Sequence, residues 1–180
     1  TENNIVLTES TVIKLIMSGK KENIELFLKG LIVEQQMAIE DVILKFVGVI
    51  DDKKVFFKEV MLYKALSPII TTTKENLEKV YLDPYQLQYY ENLALNAKRK
   101  YKLVYGKEYE GEIFFEIDDL FIMKEKFVRI KQGGVKGHTY NIWIQADKDM
   151  QKIIYYLGLG QNSSIGCGCL SIITGVSEDA

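Results

Sequence analysis

Cysteine, proline and histidine are all scarce in this chain of 180 residues: two Cys, two Pro and one His. Cys167 and Cys169 stand one residue apart, a spacing that seldom closes a disulfide, and two thiols alone do not complete a zinc site. A disulfide-stapled secreted scaffold is excluded, and a reducing, cytoplasmic protein with no metal and no cofactor is expected. No apolar run reaches the roughly 18 residues of a membrane span. No basic-then-apolar leader opens the chain either, so no membrane partner is expected. An excess of one charge is also missing: 23 Lys+Arg stand against 25 Asp+Glu, a net charge of −2. A nucleic-acid partner would therefore need a local basic face.

Hydrophobic residues, at 47%, suffice for one large core or two small ones. Charge is unevenly spread. The runs "KRKYKLVYGK" (Lys98 to Lys107) and "KEKFVRIKQGGVK" (Lys124 to Lys136) are cationic, and "EYEGEIFFEIDD" between them is acidic. Solvated faces of alternating sign are the simpler account of these runs taken alone.

"TVIKLIM" (Thr11 to Met17) reads as a strand. "KENIELFLKGL" reads as a helix with Ile24, Phe27, Leu28 and Leu31 on one stripe and Gly30 at its end. "MAIEDVILKFVGVI" and "KVFFKEVMLYKAL" read as strands joined by a tight turn at Asp51-Asp52-Lys53. "LSPIITTT" is extended. A long helix follows, with Asp83 as N-cap, Pro84 at its first position, and Leu87, Tyr90, Ala94, Ala97, Tyr101 and Val104 buried; Gly106 ends it. "GEIFFEI" is a strand. "KFVRIKQ" and "HTYNIWIQA" are two more, joined through "GGVKG". Asp147 or Asp149 caps a short helix with Met150, Ile153, Ile154 and Leu157 on one face, and "CLSIIT" is the last strand.

From about residue 54 the order is strand, helix, strand, strand, helix, strand, the split βαβ pattern. Residues 1 to about 50 give strand, strand, helix, strand, the same pattern without its opening strand and helix. The expected fold class is α+β, with tandem ferredoxin-like (RRM-like) domains. Residues 1–53 would be the remainder of the first, and 54–180 the second.

Between the last helix and the last strand lies "GLGQNSSIGCG", with Gly158, Gly160, Gly166 and Gly168. It lacks the Gly-Lys-Ser/Thr of a phosphate loop, and it runs from helix to strand where a dinucleotide fingerprint runs from strand to helix. Two readings stand. Clustered glycines let RNA approach the backbone, whose N–H groups bind phosphate. Alternatively, the glycines serve a tight turn that packs helix on strand.

This stretch resembles the C-terminal glycine-rich loop of the CRISPR-associated repeat-RNA endoribonucleases, the sixth Cas family. "LSPIITTT", "YLDPYQLQYYENLALNAKRKY" and "VRIKQGGVKGHTYNIWIQADKDMQKIIYYLGLG" resemble neighbouring segments of the family, so the likeness covers most of residues 11 to 174. The resemblance implies binding of CRISPR repeat RNA and metal-free cleavage of the precursor transcript. In that cleavage the ribose 2′-hydroxyl attacks the adjacent phosphate, leaving a cyclic phosphate and a 5′-hydroxyl. Other Cas proteins of an interference complex are implied as partners. The implied RNA contacts are Gly158, Gly160, Gly166 and Gly168 with Arg129, Lys131 and Lys136. The chain departs from the family in its loop centre, "QNSS", where many relatives carry lysine or arginine, and at Cys167, where an aromatic is common.

In most relatives a histidine near the first helix of the first domain supplies acid–base chemistry. The only histidine here is His138, which reads as an ordinary strand-end residue, so no catalytic residue is assigned. The chain begins with Thr1, and a truncated member is expected; a tyrosine or lysine set is the other possibility. Trp143 and Phe127, in apolar strand contexts, are expected in the core rather than as base-stacking platforms. A non-catalytic RNA-binding or assembly subunit is the alternative function. A small-ligand regulatory domain is the third, since ferredoxin-like folds host many activities.

Overall fold

A computed structural model describes residues 11–17, 19, 21–39, 42–50, 55–119, 122–130 and 133–174. The chain divides into two compact units, Thr1–Val49 and Ile50–Ala180. In the first, α1 (Lys21–Glu34) leads into an antiparallel hairpin of β1 (Gln36–Ile39) and β2 (Val42–Lys45). Of the expected stripe, Ile24, Leu28 and Leu31 are the most sheltered positions of α1 while Phe27 is exposed, and none of the helix's residues is fully buried. Three sequence expectations need correction here. Residues 11–17 form no strand; β-branched composition favours a strand only where a neighbouring edge is available. Gly30 does not end α1, which runs four residues further to Glu34. "MAIEDVILKFVGVI" is a hairpin rather than one strand, with Met37 opposite Leu44 and Ile39 opposite Val42. The expected turn at Asp51-Asp52-Lys53 lies outside the described residues.

The second unit contains β3 (Val60–Ala65), the hairpin β4 (Thr72–Glu75) and β5 (Glu78–Tyr81), and α2 (Leu87–Tyr105). These are followed by β6 (Phe114–Ile117), the hairpin β7 (Lys124–Ile130) and β8 (Gly133–Thr139), β9 (Asn141–Gln145), α3 (Lys148–Leu157) and β10 (Leu170–Thr174). Four strands form one antiparallel sheet in the order β10-β3-β9-β6. Numbered by sequence within that sheet, the order is fourth, first, third, second. Helices follow the first and third of these strands, so the sheet has the split βαβ connectivity read from the sequence.

Period-two alternation sends Met61, Tyr63, Ile142 and Ile144 to one face, all fully buried. They pack in one core with Tyr89, Leu93, Ala97 and Tyr101 of α2 and Met150, Ile153 and Ile154 of α3. Each large apolar side chain withdrawn from water there contributes about 1.5–3 kcal/mol. The polar member, Gln151, is fully satisfied: its amide donates to Glu59 O (3.0 Å) and Ile144 O (2.8 Å), and its Oε1 accepts from the Tyr63 hydroxyl (2.9 Å).

Helix α3 is capped by Asp147, whose carboxylate accepts from the N–H groups of Asp149 (2.9 Å) and Met150 (2.8 Å). Gly106 closes α2 at φ +70°, donating to Lys102 O. The start of α2 differs from expectation. Asp83 and Pro84 belong to a preceding turn, and the helix begins at Leu87. Its buried residues recur every fourth position, whereas Leu87 (76% exposed) and Val104 (41%) face solvent. "GGVKG" is also corrected: it lies within β8 rather than forming the turn. The single strand expected over "HTYNIWIQA" is divided at Tyr140 into β8 and β9.

Candidate nucleic-acid interface

The glycine stretch leaves α3, passes through a 3-10 turn at Ser163–Ile165 and enters β10. Gly158, Gly160, Gly166 and Gly168 all have φ between +71° and +84°, where a side chain is strained. What lies against three of them is the protein's own backbone. A Cβ at Gly168 would stand 1.9 Å from Leu159 O, one at Gly160 would stand 2.6 Å from Ile70 O, and one at Gly158 would stand 2.9 Å from Gly168 O. At Gly166 a Cβ would meet nothing within 4 Å. Tight packing of the loop on itself and on the "SPII" segment therefore accounts for Gly158, Gly160 and Gly168, while Gly166 faces open space. Many loop N–H groups are already used internally: Gln161 donates to Ile70 O, Gly168 to Pro68 O, Gly166 to Ser163 O and Cys169 to Ser67 Oγ.

A lysine that the sequence does not distinguish from its neighbours holds this loop. Lys100, on α2, directs its Nζ at Leu157 O (3.2 Å), Gly158 O (2.7 Å), Gly160 O (2.8 Å) and Ser163 Oγ (2.8 Å). Burial pulls its ammonium down to about 8. The cation sits at the carboxyl end of α3, where unpaired carbonyls and the helix dipole favour positive charge.

The loop is joined to the β7–β8 hairpin by a small second core of Ile70, Val135 and Cys167, with Tyr81 and Val128 against it. Gly137 permits the close approach; a Cβ there would stand 2.6 Å from Ile69 O. Ile69 and His138 exchange backbone hydrogen bonds, and the Tyr81 hydroxyl donates to Gly134 O (3.3 Å). Thr72 and Gln161 tie β4 to the loop (2.8 Å).

Hairpin register sorts the cations. Val128 pairs with Val135 on the face toward the glycine loop, and alternation puts Lys124 and Lys126 on that face. Arg129 and Lys136 stand on the opposite face with Phe127 and Glu125. Arg129 is exposed, and Lys136 pairs with Glu125 at 2.6 Å. Lys131 lies outside the described residues. Phe127 is not in the core: it is 70% exposed, its ring lying over Gly134. Trp143 is half-buried, its indole N–H donating to Asp118 (2.9 Å).

His138 is buried beside Tyr89, its Nε2 3.7 Å from an Asp83 oxygen and its Nδ1 without a partner. Burial holds its imidazole below the ordinary range, against the opposing pull of Asp83. As pH falls through about 6.5 the unfolded chain takes up a proton that the folded one resists, so stability falls in that window. Thermal melts between about pH 5 and 7.5 should show this fall, and His138→Gln should flatten it; equal pH slopes for the two proteins would contradict the assignment. Among the described residues no cluster of His, Cys, Asp or Glu is suited to a metal ion, and no helix is long and apolar enough to cross a membrane.

Residues 50–172 match the family profile "CRISPR associated protein Cas6, C-terminal". The chain is 27% identical over 162 residues to CRISPR-associated endoribonuclease Cas6 1 of Methanocaldococcus jannaschii, covering 85% of this chain and 60% of that protein. It is 25% identical to a CRISPR-associated endoribonuclease-like Cas6 protein of Pyrococcus furiosus, covering 96% of this chain and 72% of that one. A solved Cas6-related protein from Pyrococcus furiosus superposes with a TM-score of 0.75 at 22% identity, covering 89% of this chain and 67% of that one. A solved CRISPR associated protein Cas6 gives 0.73 at 25% identity, covering 88% and 66%. A RAMP protein described as binding different RNA substrates shares the fold, with a TM-score of 0.74 at 18% identity, covering 88% and 67%. The chain thus spans 60% of the first relative's length, and with the family profile matched over residues 50–172 it belongs to the CRISPR-associated Cas6 family.

Proposed function

We propose that this chain binds CRISPR repeat RNA, and that the protein it represents processes precursor transcripts and hands the product to other Cas proteins. The observation that carries the reading is the small core of Ile70, Val135 and Cys167, which holds the glycine loop against a basic hairpin. RNA would meet Gly166 on the open side of the loop, with Gly158, Gly160 and Gly168 giving the loop its shape. Arg129 and Lys136, on the hairpin face opposite the loop, would with Lys131 neutralise phosphates of a strand that passes over the hairpin edge, and Phe127 on that same face offers an exposed ring on which a base can stack. The fold of the whole protein would be a tandem ferredoxin-like pair. In the proposed cleavage the 2′-oxygen bonds to phosphorus as a base takes its proton. The bond from phosphorus to the 5′-oxygen breaks as an acid protonates the leaving group, and no metal takes part.

The alternative, a non-catalytic RNA-binding subunit, is favoured by one observation: the only histidine is buried in the second unit.

The binding test is a titration of fluorescent repeat RNA and a scrambled control at several salt concentrations. Lys136→Ala and Arg129→Ala should each weaken binding and lower the salt slope by about 0.7 for one lost single-strand phosphate contact. Glu125→Gln should strengthen binding, because it frees Lys136 from its ion pair. Unchanged affinity and slope in both cation variants would remove this face from the site, and equal affinity for both RNAs would sink the repeat reading.

A further inference from the structure

We propose that Lys100 is a positioning residue, a latch that fixes the shape of the glycine loop; its effect on RNA rests on the reading above. Neighbouring cations of the same basic run have other partners. Lys98 lies over the Tyr109 ring, and Lys102 pairs with Glu108. Lys100 alone of these three turns inward, onto oxygens drawn from the end of α3, the mid-loop and the start of the 3-10 turn. Those oxygens outnumber the N–H bonds of an ammonium, so the head group stays saturated as the loop breathes. Two of them, Leu157 O and Gly158 O, belong to the end of α3, where carbonyls have no partner within the helix. Without the cation they would lie unpaired in a sheltered place, a cost that moving the loop would relieve. A phosphate reaching Nζ would have to displace oxygens that already surround it, so Lys100 acts on RNA through the loop.

The test compares wild type with Lys100→Met and Lys100→Gln by amide hydrogen exchange and RNA titration. In Lys100→Met the amides of Gln161, Cys167 and Gly168 should exchange about tenfold faster or more, while those of Ile142 and Ile144 in the central strand keep their protection. Repeat-RNA affinity should fall about tenfold at an unchanged salt slope, and Lys100→Gln should fall between. A salt slope lowered with the affinity would mean direct phosphate contact and would overturn the positioning role. So would loop exchange equal to wild type. If both variants also lose protection at Ile142 and Ile144, Lys100 supports the whole unit and the local latch is overturned. If wild type binds no repeat RNA, the RNA reading falls and takes the RNA half of this proposal with it, while the exchange result decides the latch separately.

Discussion

Gly168→Ala should destabilise the second unit by about 3 kcal/mol or more, a large share of the roughly 5–15 kcal/mol that holds a typical domain together. Two costs combine. A residue with a side chain is strained at φ +71°, worth about 1–3 kcal/mol. Its Cβ would also stand 1.9 Å from Leu159 O, a backbone atom that cannot rotate away. Relieving the overlap would break the hydrogen bond from Leu159 N–H to Gly168 O (2.9 Å) and move the start of β10, which pairs with β3. Gly166→Ala carries only the first cost, since its Cβ would meet open space. The expected result is a melting temperature lower by about 10 °C for Gly168→Ala and by about 3 °C for Gly166→Ala. Equal losses would show that the backbone contact does not set the cost. The same pair separates shape from contact: Gly166→Val should weaken RNA binding by more than its effect on stability explains, because it projects a side chain into the open side.

How much of this was legible in the sequence depends on how local each signal is. The Gly106 terminus and the α3 cap each involve a few consecutive residues whose side-chain chemistry decides the geometry; the first is found where the sequence puts it, and of the two caps the sequence leaves open, Asp147 and Asp149, the structure uses Asp147. The connectivity of the four-stranded sheet follows from element order and is likewise recovered. The β4–β5 hairpin carries a weak signal, because its turn places Asn76 and Leu77 at positive φ without a glycine. "GGVKG" misleads for the converse reason. Its glycines read as a turn, but Gly137 serves the close passage of Ile69 and Gly134 lies beneath Phe127. Neither neighbour is adjacent in sequence. Lys100 is the extreme case: nothing in "KRKYKLVYGK" separates it from Lys98 or Lys102, and only the packing of α2 beside the end of α3 selects it. The glycine stretch reads as a loop, but which backbone its glycines make room for depends on how the loop folds on itself, at Leu159 and Gly168, and for Gly160 on Ile70, far away in sequence.

Assayed as they stand, these 180 residues should bind repeat RNA and cleave it poorly. Cleavage by 2′-hydroxyl attack needs a base at that hydroxyl and an acid at the leaving oxygen, and losing such a positioned group costs about 10²–10⁴ in rate. The resemblance assigns this work to a histidine in the first domain, and the chain has one histidine, His138. Its ring is 3% exposed, lies edge-on to Tyr89, and keeps its Nε2 toward Asp83. A substrate phosphate could not reach it without opening the packing between β8 and α2. The hydroxyls first in line for an alternative are also engaged: Tyr140 shares a hydrogen bond with Tyr89, and burial raises both phenols well above the ordinary range. At neutral pH neither can serve as a base. The experiment is single-turnover cleavage of labelled repeat RNA with EDTA present, comparing this chain with the Methanocaldococcus jannaschii relative acting on its own repeat RNA. This chain should hold the RNA while cutting it at least about 100-fold more slowly than the relative cuts its own. Rapid cleavage that His138→Gln abolishes would place the catalytic group inside the second unit after all. Rapid cleavage that survives His138→Gln would turn attention to Tyr81 and Tyr101, with phenylalanine replacements as the next variants. If this chain binds and no cutting at all is detected, the non-catalytic subunit is the correct reading.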